Sequence, residues 1–178
     1  MRDRAEFIEA AAIPFSRENL SQIVGVSRSQ LNNWLTRNQL WQTHRGLKFH
    51  RQYTMRELFD LAGFAAMRDA GIPERQCAQF VRNYGFYRKF LSSDGRADFS
   101  RKRGKWQIGV FDPNAIVTLS INMREVGVEI MARLAERVTE APEAFPRDSF
   151  QDFAALYRAY VDRGFLPSES VGLFERAQ

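Results

Sequence analysis

At 178 residues, 44% apolar and 26% charged, the chain is sized for one domain or for a small domain carrying a second one. The apolar fraction is too high for a disordered protein. No run approaches the roughly eighteen apolar residues of a membrane-spanning helix, and one cysteine with two histidines excludes an intramolecular disulfide and a multi-cysteine zinc site. The net charge of +5 is unevenly placed, with 18 basic against 10 acidic residues in 1–103 and 8 against 11 in 104–178. Between residues 15 and 56, seven basic side chains face Glu18 alone, a bias that calls for an acidic partner or else is a solvated basic face that tolerates self-repulsion. The opening Met1-Arg2-Asp3-Arg4-Ala5-Glu6 alternates in charge and leads into no apolar core, so the expectation is a cytoplasmic chain without a secretory signal.

In chain order, Arg2–Ala12 suits a short helix stopped by Pro14. Leu20, Ile23 and Val24 then share one face of a second helix, and Leu31, Trp34 and Leu35 repeat that spacing in a third. Gly25 lies between them, where a tight turn asks for positive φ, Val26 plugs the angle, and Ser27 is a good N-cap for the third helix. This is a helix-turn-helix pattern. Gln39-Leu40-Trp41 closes the third helix, with Trp34 and Trp41 assigned to the core, and residues 43–53 read as a small basic hairpin. Thr54 and Glu57 form a capping-box pair opening a helix with an apolar stripe of Leu58, Leu61, Ala62 and Ala65, flanked by Phe59 and Phe64. Ala70-Gly71-Ile72 stops it, and Pro73 starts a further helix whose buried side is Cys77, Phe80, Val81 and Tyr84, ended at Gly85.

Over roughly residues 18–82 this chain resembles the DNA-binding domain of the MerR family of winged-helix regulators. The resemblance is carried by Val24-Gly25-Val26-Ser27 opening the recognition helix, Asn38-Gln39-Leu40 closing it, His50-Arg51-Gln52-Tyr53-Thr54 at the wing exit, and Ala66-Met67-Arg68-Asp69-Ala70-Gly71-Ile72-Pro73 at the following junction. It implies a homodimer on symmetric half-sites and distortion of promoter DNA that affects RNA polymerase, with localisation at the nucleoid. Activator and repressor stay equally open.

A recognition helix at 27–38 turns its first residues toward base edges in the major groove. The positions facing away from Leu31, Trp34 and Leu35 are Arg28, Ser29, Gln30, Asn32, Asn33 and Arg37, with Ser27 at the start. Arginine pairs bidentately with guanine, and asparagine or glutamine with adenine. Arg45, Lys48, His50 and Arg51 on the wing would meet phosphate, which gives affinity without sequence information. Arg17 and Arg56 sit at helix starts and could do the same; Tyr53 could bond a phosphate or pack the wing onto Leu58 and Phe59. Cys77 reads as a small buried hydrophobe, since metal-responsive relatives use several cysteines.

In the second half, Trp106, Ile108 and Val110 alternate, and so do Val117, Leu119 and Ile121 beyond the Asp112-Pro113-Asn114 turn. Arg101-Lys102-Arg103-x-Lys105 falls at a hairpin tip. Met123–Val138 follows as a helix with Val126, Ile130, Met131, Leu134 and Val138 on its apolar side. Pro142 and Pro146 interrupt, Ser149–Arg163 carries Phe150, Phe153, Leu156, Tyr157 and Tyr160, and Val171, Leu173 and Phe174 suit a short docking helix. The fold class is therefore α+β, mainly α: a winged helix-turn-helix at 1–90, then a small α+β module at 91–178 with a two- to three-stranded antiparallel sheet, for dimerisation or sensing. An architectural or phage-type DNA factor, excisionase-like or packaging, is the alternative to a regulator. No nucleophile–base pair, metal cluster or phosphate loop points to an enzyme, and no cofactor is expected.

Overall fold

The computed structural model describes residues 13–38, 40, 52–90, 95–109 and 114–166, with the side chains of 87 and 88 left aside. The predicted helices at 2–12 and 171–174, the wing residues 43–51, and Trp41 and Val110 lie outside the described residues. Among the described residues the architecture is mainly helical with one three-stranded antiparallel sheet. No described helix is long and apolar enough to cross a membrane. The described chain divides into two compact units, the first holding 13–31, 52–58 and 128–166 and the second 32–38, 40, 59–90, 95–109 and 114–127.

The first unit begins with helix α1, Arg17–Val24, followed by the opening turn of α2, Arg28–Arg37. Ser16 caps α1, its Oγ accepting from the Asn19 N–H at 3.1 Å. The helix buries Leu20, Ile23 and Val24, the predicted stripe. It also buries Asn19, whose side-chain amide donates to the Ala144 carbonyl at 3.0 Å and so meets the cost of its burial. Phe15 and Tyr53 exchange backbone hydrogen bonds of 2.6 and 2.9 Å, which pin the segment before α1 to the one before α3, Met55–Asp69. The Thr54–Glu57 capping box forms as expected: Thr54 N–H donates to Glu57 Oε2 at 2.9 Å and Glu57 N–H to Thr54 Oγ1 at 3.3 Å.

The rest of this unit comes from the long helix α6, Met123–Glu140, from residue 128 onward, a 3-10 turn at Pro142–Ala144, and α7, Ser149–Val161. Ile130, Met131, Leu134 and Val138 are buried as the spacing predicts, while Val126, expected beside them, is half-buried; Phe150, Phe153, Leu156, Tyr157 and Tyr160 are buried too. Phe15, Phe145 and Phe153 form an aromatic cluster, with Phe145 edge-on to Phe153 at 5.6 Å and Phe15 6.0 Å from Phe153. Each such ring contributes about 1.5–3 kcal/mol by leaving water.

The second unit holds α2 from Asn32, α3 from Phe59, α4 (Glu74–Tyr84), the short α5 (Tyr87–Phe90), and strands β1 (Arg96–Lys102), β2 (Lys105–Ile108) and β3 (Val117–Asn122). The sheet order is β2-β1-β3, with β1 antiparallel to both neighbours. In register, Ala97, Phe99, Ile108, Leu119 and Ile121 share one face, and Phe99 meets Phe80 of α4 at 5.5 Å. The upper end of the expected range, three strands, is the one that forms: Arg96–Lys102, which alternates only weakly in hydropathy, is the central strand.

The apolar stripe of α3 forms, with Leu58, Phe59, Leu61, Ala62 and Phe64 buried and Ala65 half-buried, and burial runs unbroken from Leu58 through Phe64, Asp60 included. Three expectations need correction. Tyr84 is 55% exposed and leaves the buried side of α4 to Cys77, Phe80 and Val81, since Gly85 caps the helix at once in the left-handed conformation and frees its last turn. Pro73 stands one residue before α4, at its N-cap. α2 ends at Arg37, so Leu40 is buried beyond the helix rather than closing it.

Candidate nucleic-acid interface

The turn between α1 and α2 is built from local rules. Gly25, at φ +77, turns its N–H to the Ser21 and Gln22 carbonyls, and Val26 N–H reaches back to Ser21 O at 3.0 Å; this closes α1 in a double hydrogen-bonded stop. The left-handed backbone suits glycine, and a second requirement comes from α6. A Cβ on Gly25 would lie 2.5 Å from Nη1 of Arg133, the atom that donates to the Val24 carbonyl at 2.9 Å. A cation thus sits at the negative end of α1, where orphan carbonyls and the helix dipole favour it. Arg133 is also ion-paired to Glu129 one turn earlier. Ser27 then starts α2, its Oγ accepting from Gln30 N–H at 3.1 Å.

On α2, Leu31 and Trp34 are buried, Leu35, Gln30 and Asn32 are half-buried, and Arg28, Ser29, Asn33 and Arg37 are exposed, with Ser27 exposed ahead of them. Trp34 fixes this helix within the second unit. Its ring lies 4.9 Å from Phe64, the Arg68 guanidinium stands 4.8 Å over it, and its indole N–H donates to Glu74 Oε1 at 3.2 Å. An anchored inner face leaves the outer one to donors and acceptors of the kinds that address base edges.

The other predicted contact residues fare differently. Arg56 is exposed on the first turn of α3. Arg17 is half-buried and its Nη2 donates to the Tyr53 hydroxyl at 3.3 Å. Tyr53 is 3% exposed, so it leaves the set of phosphate contacts: a ring enclosed to that degree is core, and its hydroxyl receives Arg17. Arg45, Lys48, His50 and Arg51 lie outside the described residues.

Sequence reasoning missed two cations. In the second unit, Arg37 shares a cleft of about 350 Å³ with Asn38, Arg75, Ala78 and Arg82, and the described lining holds three guanidiniums and no carboxylate. Arg82 Nη1 donates to the Asn38 carbonyl at 2.8 Å, which ties α4 to the segment leaving α2. The seven-residue spacing of Arg75 and Arg82 was the available signal, since it puts both on one helix face.

Cys77 is fully enclosed, and its thiol donates to the Ile72 carbonyl at 3.2 Å. Burial pushes its pKa up to about 12, which keeps it a thiol at neutral pH and unreactive. Among the described residues no group of three or more His, Cys, Asp or Glu side chains could hold a metal ion. Comparison of the chain with protein-family models, with curated proteins and with solved structures gives no match to any of them.

Proposed function

We propose that this chain is a sequence-specific duplex-DNA-binding transcription regulator that lays α2 in the major groove, with the basic segment 43–53 on the sugar–phosphate backbone. The observation that carries the reading is the two-sidedness of α2. Leu31 and Trp34 anchor one side, and the other presents Arg28, Ser29, Asn33 and Arg37, with Gln30 and Asn32 at its margins. Each of these types has a hydrogen-bonding partner on a base edge. The cap at Ser27 exposes the first turn, the part of a recognition helix that reaches deepest. The overall positive charge supplies the sequence-independent part of the affinity. The resemblance to MerR regulators adds the expectation of a homodimer on an inverted repeat.

The test is selection of bound duplexes from a random-sequence pool, repeated with Arg28→Ala and Asn32→Ala. The expected result is a palindromic consensus that degrades at defined positions in each variant, with a loss of about 1–3 kcal/mol of discrimination per bidentate contact removed. Salt-sensitive binding without a consensus, unchanged in both variants, overturns the reading and leaves a DNA-coating or architectural protein.

A further inference from the structure

The hairpin of β1 and β2 ends in Lys102-Arg103-Gly104-Lys105, with Lys102 paired opposite Lys105. Arg103 and Gly104 have φ of +49 and +78, the two positive values that a two-residue type I′ turn requires. Arg101, Lys102, Arg103 and Lys105 are all exposed. An ordinary solvated surface mixes charge signs, whereas this tip is of one sign, and the partners of Arg101 in register are Trp106 and Val117, neither of them acidic. The tip is also held. Trp106 N–H, next to Lys105, donates to Gln76 Oε1 at 3.2 Å, and Gln76 follows Arg75 on α4. The hairpin is thus tied to α4, the helix that carries Arg75 and Arg82, within the same compact unit.

We propose that the β1–β2 hairpin and the arginine edge of α4 together form a phosphate-gripping surface for the backbone of duplex DNA, separate from the base-reading face of α2. This rests on the DNA-binding reading above and extends it to residues outside the helix-turn-helix and its wing. A type I′ turn leaves little backbone freedom to lose on binding, which favours a charge cluster whose targets are regularly spaced anions. Ile116, 84% exposed, donates its N–H to the Arg101 carbonyl at 3.2 Å and stands at the tip with Val117, which is 41% exposed. A sugar edge or a minor groove accepts an isolated aliphatic side chain of this kind. A bilayer-docking element instead needs a continuous apolar face, and here two aliphatic residues stand amid charge.

The experiment is equilibrium binding of the full chain to a labelled duplex across roughly 50 to 200 mM salt, comparing the wild type with R101Q/R103N/K105Q, with R75Q, and with R28A/N32A. Asparagine at 103 tolerates the left-handed backbone, the side chains replaced in the triple variant and in R75Q are exposed, and an unchanged thermal midpoint is the folding control for every variant. The expected result is a slope of log K against log salt shallower by roughly two to three in the triple variant and by about one in R75Q, at about 0.9 per phosphate released. The sequence preference stays intact in both. In R28A/N32A the preference degrades while most of the slope remains. Slopes in the triple variant and R75Q equal to the wild type overturn this inference alone. Loss of preference in the triple variant, with R28A/N32A unaffected, overturns the assignment of the two roles. A wild type that ignores duplex DNA and binds anionic phospholipid vesicles overturns both this surface and the reading on which it rests.

Discussion

The α1–α2 turn and the β1–β2 turn both rest on a glycine at nearly the same φ, +77 at Gly25 and +78 at Gly104, yet their surroundings differ. Around Gly25 the chain is held by two backbone stops, the Arg133 guanidinium within 2.5 Å of an added Cβ, and a serine cap for the next helix. Around Gly104 nothing stands within 4 Å of an added Cβ, and the flanking side chains are cations in water. The first turn sets the angle of a helix that carries amides, hydroxyls and arginines, which can distinguish one base from another. The second holds point charges, which register phosphates and little else. On the proposed reading the first serves recognition and the second adhesion, and each can be perturbed by itself.

The largest expected effect comes from the anchor of the first region. Trp34→Ala removes a buried ring together with its bond to Glu74 and its contact with Arg68. A loss of about 3–5 kcal/mol in unfolding free energy is expected from denaturant titration. A loss below about 1 kcal/mol would mean that α2 is not held by this face.

Next comes the paired test of the two glycines. Gly104→Ala bears only the left-handed backbone, about 1–2 kcal/mol. Gly25→Ala bears that cost and displaces Arg133 from the Val24 carbonyl, adding about 1 kcal/mol or more for the lost charge-assisted bond. Urea midpoints should therefore fall further for Gly25→Ala. Equal shifts would show that Arg133 swings away freely and that the contrast between the turns is one of backbone alone. Adding Arg133→Ala to Gly25→Ala separates the terms, since the guanidinium contribution is then already absent.

The smallest effect, nil at neutral pH, reports on α4, the helix against which Phe99 packs. Burial raises the Cys77 pKa to about 12 from the ordinary 9.0, so the folded state keeps its proton while the unfolded state has lost it. The unfolded state then binds fewer protons between those values, and stability falls as pH rises from about 9 toward 12, by up to about 1.4 kcal/mol per unit from this group. Burial moves the Tyr160 phenol upward as well, so the same sign is expected of it in the first unit. Cys77→Ala should flatten the alkaline slope in part, and a thiol reagent should leave the folded chain unmodified at neutral pH. Rapid modification of the native protein would show that α4 opens and that the hairpin lacks a firm base.

How legible the chain is depends on the reach of the interaction. The caps at Ser27 and Thr54, the stop at Gly25, the hairpin tip at 101–105 and the apolar faces of α6 and α7 all involve partners within one or two turns, so spacing alone exposes them. The strand β1 was harder to read because its pattern of exposure has only Ala97, Phe99 and Ser100 buried; its central place comes from pairing with two neighbours, not from its own hydropathy. In the candidate site, the exposed face of α2 was readable for the same local reason, whereas the cleft of Arg37, Arg75 and Arg82 was not, because it joins residues some forty positions apart.

By itself the amino-acid sequence determined the caps at Ser27 and Thr54, the turn glycines, the mainly helical composition with a small antiparallel sheet, and the concentration of positive charge in the first 103 residues. Tertiary structure alone decided that burial on α3 takes in Asp60, that Tyr53 is core, that Tyr84 faces water, and that Arg133 caps a helix end 109 positions earlier in the chain. The physical reason is one of range. Caps and turns are settled by hydrogen bonds and sterics within a few residues, whereas burial and the placing of a distant charge depend on which segments meet, and no local pattern encodes that meeting.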